Sequence, residues 1–127
     1  MKSQLTVPLA TAVLVAIHAP AVAHHSFAMF DQAHPIEIEC VVHEFKYTNP
    51  HSYLLVLVKG TDGNDVLWNL EGQAPSLLTR EGWTSRTLKP GDELRLIVEP
   101  LHSGAPGGTW NVNKIKFKDG RPIVPVQ

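Results

Sequence analysis

The 127 residues contain one cysteine, Cys40, so no disulfide can close within the chain and no Cys-x-x-Cys redox pair exists. Charge of either sign is also in short supply. The 11 Lys and Arg face 12 Asp and Glu, a formal net charge of −1, and a nucleic-acid partner needs a basic face that this balance does not supply. No internal repeat, low-complexity tract or block of like charge is present. No Ser-His-Asp order, phosphate-cradling glycine loop or suitably spaced pair of glutamates occurs, which leaves hydrolase and redox-thiol readings without support.

One apolar run stands out, Leu5 to Ile17, with Lys2 before it and Ala21-Val22-Ala23 after it. A charged start, an apolar centre and small residues at a cleavage point make a secretory signal. Pro8 and Pro20 interrupt the region. The run is shorter than the ~20 apolar residues that a membrane span needs and lacks a positive anchor behind it. The expectation is a signal peptide at residues 1–23, cleavage after Ala23, a periplasmic or secreted location, and no membrane span after cleavage. Removing those 23 residues from 127 leaves 104, and Lys2 is the only charge lost, so the formal net charge becomes −2. That length fits one small domain at 24–127.

The remaining chain reads as strands divided by turns. Ile36, Ile38, Cys40 and Val42 share one parity, whereas Val41, Phe45 and Tyr47 share the other, as in a strand that bends or bulges. Cys40 sits in this pattern as a small core residue. His51 to Val58 is nearly continuous in apolar residues, which predicts a strand buried on both faces or nearly so. Thr61-Asp62-Gly63-Asn64 reads as a tight turn, and Val66, Trp68 and Leu70 then alternate. Pro75 to Gly82 predicts a two-turn helix with proline at its start and glycine past its end. Lys89-Pro90-Gly91-Asp92 makes another turn, Leu94, Leu96 and Val98 alternate inward, and Gly104 to Gly108 reads as a flexible loop. In the last segment Trp110 and Val112 lie on one face and Ile115 and Phe117 on the other.

Three strands, a short helix and two further strands, the first long enough to serve two sheets, is the order of a small OB-like five-stranded barrel. The alternative is a small β-sandwich in which the face switches are corner bulges.

The string His24-His25-Ser26-Phe27-Ala28-Met29-Phe30-Asp31, then Thr48-Asn49-Pro50-His51, Trp68 and Glu71, Gly82-Trp83, and Leu88-Lys89-Pro90-Gly91-Asp92 resembles a family of small secreted bacterial proteins catalogued as a domain of unknown function. The resemblance spans nearly all of the chain after residue 23. It implies export and implies no established activity. The chain departs from that pattern at Cys40, where glycine is expected, at Tyr47, where tryptophan is expected, and at His102, where the resemblance implies a polar residue that is not a ligand.

Six histidines follow the cut. A free α-amine beside the His24 imidazole gives two nitrogen donors in one residue, and an amine with an ordinary pKa of ~7.7–8.0 gives up its proton readily to a metal. Copper(II) most favours such donors. His51, held behind Asn49-Pro50 at the start of a strand, is the third candidate nitrogen of a histidine brace. His25 offers a competing chelate through its backbone amide and ring. The plainer reading is a solvated tail and a histidine that merely opens a strand. Phe27, Met29 and Phe30 form an apolar stretch that could pack on the barrel and pin the terminus. Asn49, Glu71 and His102 are candidates to orient a ligand, and Asp31 is a candidate anchor of the terminal segment. Against this stand an exposed strand end for Glu71, a solvated loop for His34 and a partly buried, hydrogen-bonded His43.

Three functions are compatible with these residues: an exported copper-binding protein using His24, His25 and His51; a non-enzymatic module that holds an envelope protein or small ligand with Trp83 and Trp110; and a brace-type copper oxidase or oxygenase, for which no substrate platform is evident.

Overall fold

The structure is a computed structural model and describes residues 27–124. Its six strands are β1 (Ile36–Lys46), β2 (Tyr53–Lys59), β3 (Asp65–Glu71), β4 (Glu93–Pro100), β5 (Gly107–Thr109) and β6 (Ile115–Phe117), with the helix α1 (Pro75–Arg80) between β3 and β4. β1 pairs antiparallel with β4 through Ile36 to Val41 and with β2 from Cys40 onward. β2 pairs antiparallel with β3, β3 runs parallel to β5, and β5 is antiparallel to β4. The circuit β1-β2-β3-β5-β4-β1 therefore closes, giving the expected OB-like five-stranded barrel. β6 lies outside the circuit on β4.

The change of face along β1 has a definite cause. The register with β2 slips between Val42 and Glu44, so His43 is the extra residue of a bulge, and every side chain beyond it changes sides. Ile38, Cys40 and Val42 are buried before the bulge, and Phe45 and Tyr47 pack on the core after it. His43 itself is exposed, contrary to the expectation of a partly buried residue. β2 is also less symmetric than expected, because Leu54 and Val56 are fully buried while Tyr53, Leu55 and Leu57 on the other face stay partly exposed.

Three turns form as expected, each around a glycine whose backbone takes the left-handed conformation that side chains disfavour: Gly63, Gly82 and Gly91, with φ between 81° and 92°. Pro75 opens α1, and Leu78 carries that helix into the core at 0% exposure.

The C-terminal third departs from expectation. The fifth barrel strand is Gly107–Thr109, within the stretch read as a flexible loop. A Cβ on Gly108 would overlap the Glu99 carbonyl, and one on Gly107 would lie 2.9 Å from the Asn69 carbonyl. Barrel closure brings backbone against backbone here, which is why glycine serves as a strand residue. The segment after Trp110 is not one strand, because a 3-10 turn at Val112–Lys114, capped by the Asn111 side chain accepting from the Asn113 N–H at 2.8 Å, separates it from β6.

Trp83 and Trp110 are buried, at 3% and 4% exposure, with ring centroids 5.3 Å apart and Phe45 6.1 Å from each. The expectation that these tryptophans present a docking face is corrected: their rings are core. No helix among the described residues is long and apolar enough to cross a membrane.

Candidate functional site

The β2–β3 hairpin sets the site. Tyr53 pairs with Glu71, and beyond the last ladder pair the Ser52 N–H donates to the Gln73 carbonyl at 3.1 Å while the Gly72 N–H donates to the Ser52 carbonyl at 2.9 Å. The fully buried Ser52 hydroxyl adds a 2.7 Å bond to the same Gln73 carbonyl. His51 is thereby held at the end of β2, level with the residues that follow β3. A cis Asn49–Pro50 bond precedes it, and the Thr48 hydroxyl donates to the His51 carbonyl at 3.0 Å.

The result is a pair of side chains. His51 Nε2 lies 3.5 Å from Glu71 Oε1, with the imidazole 40% and the carboxylate 19% exposed. Glu71 is not the exposed strand end that was the plainer expectation. Both residues line a cavity of about 680 Å³ at one end of the barrel, together with Gln73, Glu99, Trp110 and Phe27. Glu99 reaches it from the end of β4, because Thr109 is the register partner of both Glu71 and Glu99 and places the two acids on one row across three strands. The Thr109 hydroxyl donates to Glu99 Oε2 at 3.3 Å, and Lys114 Nζ is 3.9 Å from Glu99 Oε1. Two polar atoms of cavity-lining residues are buried without a hydrogen-bond partner among the described residues, Gln73 Oε1 and Trp110 Nε1.

The start of the described chain is strapped to the same end. Phe27–Met29 is a 3-10 turn, Phe30 bridges to Leu101, the Asp31 N–H donates to the Pro100 carbonyl at 2.8 Å, and the His102 N–H donates to the Met29 carbonyl at 3.0 Å. Phe30 is 6% exposed and anchors the strap, whereas Phe27 and Met29 remain 74% and 42% exposed. Only one of the three apolar residues is an anchor, and Phe27 instead flanks the cavity mouth. Asp31 and His34 pair at 3.0 Å. This hydrogen bond, reinforced by the charges of His34 and His102, holds the Asp31 carboxyl below its ordinary range.

Of the predicted site residues, the structure brings His51 and Glu71 together. His24 and His25 lie outside the described residues. Asn49 and His102 are exposed and do not line the cavity. Among the described residues no group of three or more His, Cys, Asp or Glu is placed to hold a metal ion. Sequence reasoning missed Gln73 and Glu99. Counting back from the turn at Thr61–Asn64 sets Tyr53 against Glu71 and so His51 against Gln73, a signal that was present; nothing comparable marks Glu99, which depends on barrel closure.

Fold and site define a small closed β-barrel with a half-buried histidine–carboxylate pair at the mouth where its N-terminal strap begins. Residues 12–113 match a family of unknown function (DUF6152), and the chain belongs to it. No curated protein and no solved structure matches the chain.

Proposed function

We propose that this protein is an exported metal-binding protein, with copper(II) as the metal, whose site is completed by His24 and His25 once cleavage after Ala23 frees the His24 amine. The observation that carries the reading is the 3.5 Å His51–Glu71 pair on the wall of a cavity that Phe27 also lines. Phe27 is three residue steps beyond His24, and three extended steps span at most about 11 Å, so a freed terminus at His24 has the length to reach the cavity mouth.

A carboxylate beside an imidazole nitrogen fixes the ring's orientation and tautomer and raises its basicity toward a metal at the other nitrogen. With Nε2 turned to Glu71, Nδ1 is the nitrogen left for a ligand. The His24 amine and ring would add two nitrogens, a donor set that favours copper(II) among the common divalent ions. Export supplies the free terminus on which the chelate depends.

The test is competitive copper(II) titration of the exported chain, its first residue verified by mass spectrometry. His24→Ala and His51→Ala should each weaken binding by more than the roughly 10–100-fold expected of an orienting residue, and Glu71→Gln should fall within that range. Native affinity in both histidine variants would dismiss the reading.

A further inference from the structure

We infer that the same cavity is a binding site for a small organic amine with an apolar body, independent of the terminal histidines. Its volume of about 680 Å³ is that of a pocket for an organic molecule rather than a bare ion. Its walls combine two carboxylates with apolar surface from Phe27, Phe30 and Leu77, and no lysine or arginine among the described residues lines it. Phe27 and Leu77, 74% and 44% exposed, are large apolar side chains left uncovered at this site.

The polar groups give the ligand its sign. Glu99 already has Thr109 and Lys114. Glu71 has only the His51 ring at 3.5 Å and accepts no hydrogen bond among the described residues, although four-fifths of its side chain is buried. Two residues on, Gln73 Oε1 is buried and also lacks a donor. Both groups are acceptors, and acceptors withdrawn from water without donors are costly. An ammonium carries several N–H donors and a positive charge, so one such group can serve Glu71 and Gln73 together while its apolar body covers Phe27 and Leu77. An anion would meet two carboxylates, and a neutral ligand would leave Glu71 without a counter-charge.

The probe is phenethylamine, compared with phenylethanol, which has the same body and no charge. Both are titrated calorimetrically, with a chelator present, into the exported chain carrying His24→Ala. The amine is expected to bind saturably and about tenfold or more tighter than the alcohol, in keeping with a charge-assisted hydrogen bond. Glu71→Gln should erase most of that preference and Glu99→Gln should reduce it. If Glu71→Gln does not fold, as judged by circular dichroism, Gln73→Met, which removes one acceptor and keeps the carboxylate, should lower the amine's affinity and leave that of the alcohol unchanged. Equal affinity for amine and alcohol, no saturable amine binding, or a preference unchanged in the glutamate variants would overturn the proposal. Copper titration of the same His24→Ala chain is read separately, so loss of copper binding with amine binding retained tells the two sites' chemistry apart.

Discussion

Gly72 has no side chain because Trp110 fills the place where one would be. A Cβ there would overlap Trp110 Nε1 and lie 2.7 Å from the Ser52 hydroxyl, and both residues are buried. Gly72→Ala should therefore destabilise the barrel by at least the ~1–3 kcal/mol typical of overpacking, seen in thermal unfolding as a drop of several degrees for a domain of this size. Cys40 illustrates the opposite situation, a residue that fits its surroundings. Burial pushes its thiol up to about 12, so at pH 8 almost no thiolate is present in the folded state. A maleimide should label it only after denaturant is added, and rapid labelling of the native protein would contradict its placement in the core. Cys40 could be placed inside from the parity of its neighbours alone. Trp83 and Trp110 could not, because Trp83 sits in no alternation, the segment of Trp110 breaks at a 3-10 turn, and their burial depends on how the barrel's end is closed.

At the scale of elements, α1 and the N-terminal strap are tied to the barrel by few bonds that can be cut singly. The Tyr47 hydroxyl, with one hydrogen to donate, lies 3.0 Å from the Pro75 carbonyl and 3.2 Å from the Trp83 carbonyl and pairs with the Thr79 hydroxyl at 2.8 Å, joining the segment after β1 to both ends of the helix region. Tyr47→Phe keeps the ring against Phe45 and removes these bonds, leaving the Trp83 carbonyl short of a donor among the described residues, while the Pro75 carbonyl keeps the Thr79 hydroxyl at 2.8 Å. A loss of about 1–3 kcal/mol follows, measurable by urea unfolding with little change in m-value. The strap responds to acid. Asp31 has a folded-state pKa below its ordinary 3.8, so its contribution is complete above that value and is lost as pH falls through the depressed one. Asp31→Asn should remove that part of the acid dependence and leave stability above about pH 5 without it, which equilibrium unfolding at a series of pH values can measure. The elements themselves were largely legible: hydrophobic alternation marked β1, β3 and β4, a continuous apolar run marked β2, and proline and glycine marked both ends of α1. β5 was not, since Gly107 and Gly108 carry the local signature of a loop. Only the closeness of the Asn69 and Glu99 carbonyls, a property of the closed barrel, makes them strand residues.

For the whole molecule, closure decides what can meet. It brings the end of β4 beside the end of β3, setting Glu99 in the same cavity as Glu71, and it holds the strap of residues 29–31 against β4 at that same end. Neither neighbourhood can be read from one strand at a time. The His51–Glu71 pair belongs to one hairpin and is the part of the site closest to local sequence. The proposed copper site joins this pair to the terminus that the proposed cleavage after Ala23 would create, so it stands on the chemistry of one α-amine. A single alanine inserted between Ala23 and His24, with cleavage after Ala23 verified by mass spectrometry, leaves every side chain in place and moves the free amine off His24. The decisive measurement is the copper(II) affinity of that extended protein against the native one. A chelate through the His24 amine predicts a loss of about a hundredfold or more, about 2.7 kcal/mol; equal affinity in the two proteins would contradict it.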